Sequence, residues 1–371
     1  MSGAYSRLPD FERNPFKRIF KRRQASTLQS VQEVGLHLTS RSPPLSRDDV
    51  LVKMVGMNAD LSKLLRCPKC RAGLEPRGES PPTLRCEACG ASFAIEKGVP
   101  RLAGEPYVES FGRQWNRYDV ARDDEDLATF AVKTGVDART LGGKLVLDAG
   151  CGGGRYARLV GKFAGSVVGV DLSSAVDKAA ALCADLPNVL IARADLLDLP
   201  LAPAAFDLVF SIGVLHHSPN PRRAFTQVAA RVKPGGRLSI WLYRKNTPPQ
   251  EWMNSALRTV SSRVPARALD AFSLGLGAVG SIPVLNKTLN KVANFSNHTD
   301  WTLRVCDNFD WYAPKYQSHH TVDELKGWFR EEGFTDLIEL VPAKSGRLYD
   351  WAYHHNLIIG SGVNVTGRRH S

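Results

Sequence analysis

Four groups of residues in this chain have the types and spacing that chemistry needs. Cys67, Cys70, Cys86 and Cys89 form two C-x2-C pairs with 15 residues between them. Short knuckles of this kind aim two pairs of thiolates at one tetrahedral ion, and four sulfur ligands close the site, so zinc in a structural role is expected rather than redox thiols. Asp148-Ala-Gly150-Cys-Gly152-Gly-Gly154 ends one apolar run, and Asp171 and Asp195 end two more. Glycines after a strand let a ligand approach the backbone closely, and an acid ending the next strand suits ribose hydroxyls. His216-His217 and His319-His320 are two pairs of the side chain best able to move a proton near neutral pH. The last group is basic. Arg13, Lys17, Arg18, Lys21, Arg22 and Arg23 surround Phe16 and Phe20, a mixture that suits a solvated arm, anionic lipid or nucleic acid phosphates equally.

The elements that must hold these residues are visible as apolar runs. Residues 145–147, 167–170, 189–194, 206–210 and 238–243 read as five strands, each run ending in turn or helical sequence. Five βα units in series predict a parallel sheet with right-handed crossovers and a ligand beyond the strand carboxyl ends. Apolar runs at 336–341 and 357–360 are candidates for two further strands. The glycines read G-x-G-x-G, and Arg155 stands where the dinucleotide fingerprint G-x-G-x-x-G places its last glycine. Thr321 and Glu324 form a capping box that opens a helix carrying Trp328 and Phe329, and Gly333 ends it. The segment 246–315 mixes Trp252, Val260, Phe272 and Leu274 with Arg258, Arg263 and Lys287, which predicts helices with one apolar face covering the site. A basic amphipathic surface there also suits contact with a membrane.

The chain has 371 residues, 43% of them hydrophobic and 23% charged, enough for one large α/β domain with additions. Its net charge is +12, which favours anionic partners. No amino-terminal segment has the apolar core of a signal peptide. Ala271–Leu285 is too short and too glycine-broken to span about 30 Å of hydrocarbon. Seven cysteines without an export signal suggest thiols or metal ligands, not disulfides. A cytoplasmic protein without transmembrane segments, touching a membrane surface peripherally if at all, is the expectation.

Asp148-x-Gly-x-Gly-x-Gly, Asp171, Asp195 and Leu215-His216-His217 together resemble the class I S-adenosylmethionine (SAM) methyltransferases. The likeness covers roughly 107–245 and 321–360 and is strongest to the ubiquinone and menaquinone biosynthesis group. It implies a Rossmann-like seven-stranded α/β sheet. It also implies SAM contacts from Asp148, Gly150, Gly152, Gly154, Asp171, Leu172, Asp195, Leu196 and Ser211, with Trp115 as a lid. Residues 65–102 are similar to zinc ribbons found beside such enzymes. The domain reading is a basic arm at 1–60, the ribbon at 61–104, the SAM-binding core at 107–245, an acceptor-site insertion at 246–320 and the rest of the core at 321–371. The resemblance implies methyl transfer to a small metabolite, glycan or lipid-linked precursor. Oxygen is the favoured atom, with His216, His319 and His320 as candidate bases. Ser211-Ile-Gly-Val stands where amino-group methylases of adenine or glutamine carry Asn/Asp-Pro-Pro-Tyr/Phe. The rival readings are an RNA methyltransferase, favoured by charge and ribbon, and a non-catalytic scaffold of the same fold.

Overall fold

The computed structural model describes residues 58–77, 81–104, 123–245, 247–261, 263–264, 266–282, 296, 300–340, 351 and 362–371. The basic arm, Trp115 with its aromatic neighbours Phe111 and Tyr118, and the apolar run at 357–360 lie outside the described residues.

One turn of helix, α1 (Ala59–Ser62), is capped by the Asn58 side chain. Four short antiparallel strands follow as one sheet: β1 (Glu75–Arg77), β2 (Thr83–Arg85), β3 (Ser92–Glu96) and β4 (Val99–Pro100). Then come α2 (Asp123–Thr134), β5 (Leu145–Ala149), α3 (Arg155–Gly161), β6 (Ser166–Asp171), α4 (Val176–Leu182) and β7 (Val189–Arg193). β8 (Phe206–Ile212), α5 (Pro221–Ala229) and β9 (Val232–Tyr243) complete the parallel series. Among the described residues, the helices α6 (Pro248–Ser261), α7 (Ala266–Gly280) and α8 (Trp301–Tyr312) precede α9 (Val322–Glu331), β10 (Phe334–Glu339) and β11 (Gly362–Arg369).

The large sheet has the order β10-β11-β9-β8-β5-β6-β7. β5 to β9 pair in parallel, as the five strand runs predict, while β11 runs antiparallel to both β9 and β10. It is the expected Rossmann-like seven-stranded sheet. Side chains alternate between its faces along each strand. Leu147, Val168 and Val209 belong to a core that also holds Phe225 of α5 and Phe329 of α9. Val146, Val167 and Leu208 belong to a second core with Phe130 of α2 and Leu159 of α3. The last strand lies beyond the run at 357–360. Val363 and Val365 are buried as in any strand, but Gly362 before them and Asn364, Thr366 and Arg368 between and after them mask the apolar signal. The predicted capping box opening α9 is formed, and Gly333 after it has a left-handed backbone.

The small sheet docks on the open edge of the large one. Arg101 pairs in parallel with Arg193, and Leu102 N–H donates to the Arg193 carbonyl at 2.9 Å. Arg66 N–H donates to the Pro200 carbonyl at 2.8 Å, and Arg71 is ion-paired with Asp198. Leu65, Leu84 and Leu102 share one core with Leu190, Leu199 and Leu201. A segment too short to build its own core thus borrows one, and it covers an edge strand that would otherwise expose unpaired backbone groups. No helix among the described residues is long and apolar enough to cross a membrane.

Candidate active site and metal centre

Burying Val146, Leu147 and Ala149 fixes β5, and the chain must turn sharply where Asp148 and Ala149 end it. The turn rests on β6: Gly150 and Cys151 N–H groups donate to the Val170 carbonyl at 2.8 and 2.9 Å. Gly150 has φ +92°, and a Cβ there would sit 2.4 Å from both Val214 methyl carbons. Gly154 has φ +86°, and a Cβ would meet the Ala179 Cα at 2.8 Å. Only glycine satisfies both the conformation and the approach. Arg155, at the start of α3, is ion-paired with buried Asp126 of α2 and so ties the helix down.

The acids gather around this turn. Asp171 accepts the Gly152 N–H at 3.0 Å on one oxygen, and the Ser173 N–H and hydroxyl at 2.8 and 2.7 Å on the other. Burial raises its pKa, and the bonds from Ser173 and Gly152 oppose that rise. Asp148 is buried, with Oδ2 lacking any partner among the described residues. Burial, reinforced by the neighbouring Asp171 charge, pushes its pKa well above the usual carboxylate range. A buried carboxylate with one oxygen unmatched, beside a glycine cradle, is an arrangement a nucleoside ligand could complete. Asp195 caps the turn Leu196–Asp198 by accepting the Leu197 N–H at 2.8 Å. Leu172 and Leu196 are buried beside their acids. Ser211 is fully buried and donates its hydroxyl to the Ala149 carbonyl at 2.7 Å, cross-linking β5 and β8.

Val214, which closes over Gly150, begins the turn that carries the first histidine pair. The 318–320 segment extends the end of β9 beside it. Ser318 N–H donates to the His216 carbonyl and His320 N–H to the Tyr243 carbonyl, both at 2.9 Å. All four histidines therefore converge at the carboxyl ends of β8 and β9. The His216 ring lies 4.0 Å from the Tyr243 ring, stacked, and 4.1 Å from that of His217.

Hydrogen bonds assign the tautomers. His216 Nδ1 accepts the Tyr243 N–H at 3.3 Å, and burial, with the neighbouring histidine charges, holds its pKa well below the usual value. Its ring is neutral with the proton on Nε2, so it offers a donor and not a base. His217 Nδ1 lies 3.2 Å from the Tyr316 carbonyl and must donate to it. His319 Nδ1 lies 2.6 Å from Glu251 of α6, so it carries the proton. Arg258 donates to Gln317 Oε1 at 2.7 Å, turning the amide nitrogen of Gln317 to His319 Nε2 at 3.0 Å. His319 Nε2 is consequently unprotonated and accepts the Gln317 amide N–H, so it acts as a base only where an acceptor hydroxyl takes the place of that amide. His320 Nδ1 is 3.1 Å from Glu324 and its Nε2 is 2.8 Å from the Ser318 hydroxyl, and burial lowers its pKa. Sequence spacing does not reveal Glu251, which lies 68 residues from His319 and looks like an ordinary first-turn acid of a helix.

At the other centre the two cysteine knuckles superimpose in their bonding. Cys67 N–H donates to the Ala72 carbonyl and Arg71 N–H to the Cys67 carbonyl. Cys86 N–H donates to the Ala91 carbonyl and Gly90 N–H to the Cys86 carbonyl. The fifth residue of each is left-handed, Arg71 at φ +67° and Gly90 at +71°. The ligand atoms of Cys67, Cys70, Cys86 and Cys89 all lie within 4.8 Å of one another. Four thiol groups at that separation fit a thiophilic tetrahedral ion.

Residues 147–240 match the family model of a methyltransferase domain. The ubiquinone biosynthesis O-methyltransferase of Coxiella burnetii is 35% identical over 109 residues, 29% of this chain and 47% of that protein. The mitochondrial ubiquinone biosynthesis O-methyltransferase of Schizosaccharomyces pombe is 29% identical over 180 residues, 45% of this chain and 59% of that protein. The tRNA U34 carboxymethyltransferase of Methylococcus capsulatus is 40% identical over 105 residues, 27% of this chain and 32% of that protein. The chain spans about half the length of the ubiquinone relatives it matches. Residues 147–240 thus form a methyltransferase domain, as the glycine turn and its acids lead one to expect.

Proposed function

We propose that the chain transfers a methyl group from SAM to an oxygen of a small metabolite, glycan or lipid-linked precursor, and that zinc holds its ribbon together. The observation that carries the reading is the convergence, at one end of the sheet, of a buried acid with one unmatched oxygen and a glycine cradle with a carboxylate-oriented histidine. Asp148 and the backbone of 150–154 would hold SAM, with Asp171 on the ribose and Asp195 near the adenine. Bound there, SAM supplies a methyl group already activated by its sulfonium. The chain then has little acid chemistry to perform and needs chiefly to align an oxygen for in-line attack. His319 Nε2 would take the proton of that hydroxyl once the hydroxyl displaces the Gln317 amide from it. His216 Nε2–H is placed to donate rather than accept. Cys67, Cys70, Cys86 and Cys89 would form a closed structural zinc site, and folding of the ribbon would depend on it.

A second reading, methylation of RNA, draws on the net charge of +12 and on the relative named for tRNA U34. Labelled-methyl transfer from SAM into cell-extract fractions separates the two. Label in the low-molecular-weight or lipid-extractable fraction, insensitive to ribonuclease, supports the first reading. Label lost on ribonuclease treatment favours the second, and salt dependence should then weaken by about one unit of slope for each phosphate contact removed by Arg22→Ala and Arg23→Ala.

A further inference from the structure

Helix α6 is built inside out. Gln250, Asn254 and Ser261 are buried, whereas Trp252, Met253 and Val260 are 75%, 39% and 67% exposed. A helix that merely covers a core does the reverse, and the sequence pattern alone predicts that ordinary arrangement. The inward polar face is bonded along its length to the 311–319 segment. Ser261 donates to the Tyr312 carbonyl at 2.7 Å, Arg258 donates to the Trp311 carbonyl at 2.9 Å, and Glu251 holds His319. Asn254 stands on that same face, one turn from both Glu251 and Arg258. Its Oδ1 and Nδ2 are both buried, and neither has a hydrogen-bond partner among the described residues. A buried amide with donor and acceptor both unmade weakens the fold. Retaining one where a leucine of the same branching would fit makes sense if its partner is a ligand.

We infer that the inner face of α6 is an acceptor-recognition surface. Asn254 binds a group that presents one donor and one acceptor side by side, as adjacent hydroxyls do, and Glu251 positions His319 for the neighbouring proton. An amide oxygen accepts from one hydroxyl while its nitrogen donates to the next, so a vicinal diol matches both orphaned atoms. Glu251 does not touch the acceptor; it fixes the proton on His319 Nδ1 and leaves Nε2 unprotonated, accepting from the Gln317 amide until an acceptor hydroxyl takes that place. The base role rests on the methyl-transfer reading, whereas the diol site rests on Asn254 alone.

Three measurements on the full chain test this. Asn254→Leu removes the unmatched polar atoms, so its melting temperature should rise by about 2–4 °C. A melting temperature that stays level or falls would show that the amide supports the fold, and would overturn the site. Saturation-transfer NMR with catechol and with methyl glucoside, in separate arms, distinguishes aromatic from sugar hydroxyl pairs. Binding of either probe by wild type that Asn254→Leu abolishes is expected. Binding of neither, or binding retained in the variant, would overturn the diol assignment. Nitrogen-15 spectra of labelled histidine should show His319 with its proton on Nδ1, and Glu251→Gln should lose that fixed tautomer. A proton on Nε2 of the wild-type ring would refute the positioning role. If no extract fraction accepts label from SAM, the methyl-transfer reading fails, and the melting and probe results still decide the diol site.

Discussion

Replacing Gly150 by alanine perturbs the cradle at one atom. The backbone there has φ +92°, a conformation that L side chains rarely adopt, and holding alanine in it is worth about 1–3 kcal/mol of strain. The new Cβ would lie 2.4 Å from both Val214 methyl carbons and 2.8 Å from the Val214 Cβ. Relieving such overlap in a packed site typically takes another 1–3 kcal/mol or so. The expected destabilisation is therefore about 2–6 kcal/mol, a large share of the roughly 5–15 kcal/mol that holds a domain folded. Urea unfolding measures the loss, and calorimetry on the folded fraction measures SAM affinity, which should fall because the turn moves. Val214→Ala removes the two closest carbons but not the contact at 2.8 Å, so the double variant should recover part of the steric loss. A coupling of about 1 kcal/mol or more is expected from the cycle. A loss below about 1 kcal/mol for Gly150→Ala, or strict additivity with Val214→Ala, would refute the packing account.

Zinc should be found at one ion per chain in protein purified without added metal, and metal analysis checks it. Because the ribbon shares its core with Leu199 and Leu201 and pairs Arg71 with Asp198, chelation should lower the melting temperature and weaken SAM binding. Protein free of metal yet resistant to protease would contradict that. Asp148 has a folded-state pKa above its unfolded value of about 3.9. The native state then holds the extra proton between those two values, so the stability of the ligand-free protein should fall as pH rises through that window. Asp148→Asn should flatten the decline in a series of urea titrations against pH; an unchanged slope would count against it. His319→Ala should reduce methyl transfer by about a hundredfold or more while SAM affinity stays level, and full activity in that variant would remove His319 from the chemistry.

Much of this was legible because the signals were local. The glycine turn, its following acids and the cysteine knuckles each depend on residues a few positions apart, and backbone conformation limits what can stand there. Gly90 shows this, since its left-handed φ is the conformation the second knuckle needs. Arg71 takes the same conformation in the first knuckle without being glycine, so composition gave no hint of it. The Glu251–His319 contact was hidden by distance along the chain, as was the Arg101–Arg193 pairing that docks the ribbon. The final strand escaped because Asn364 and Thr366 are buried by sheet pairing rather than by hydrophobicity. Helix α6 reads as an ordinary amphipathic helix, and only the bonds of Glu251, Arg258 and Ser261 show which face turns inward.

The central claim, that the glycine turn and its acids bind SAM, is tested most directly by calorimetric titration of SAM into the folded full chain. One site per chain in the micromolar range, about −8 kcal/mol, is predicted. If Asp171 holds the ribose as proposed, Asp171→Ala should bind about 1.5–3 kcal/mol more weakly. A well-folded wild type that gives no binding heat with SAM at any temperature tried, and behaves identically to Asp171→Ala, would contradict the account.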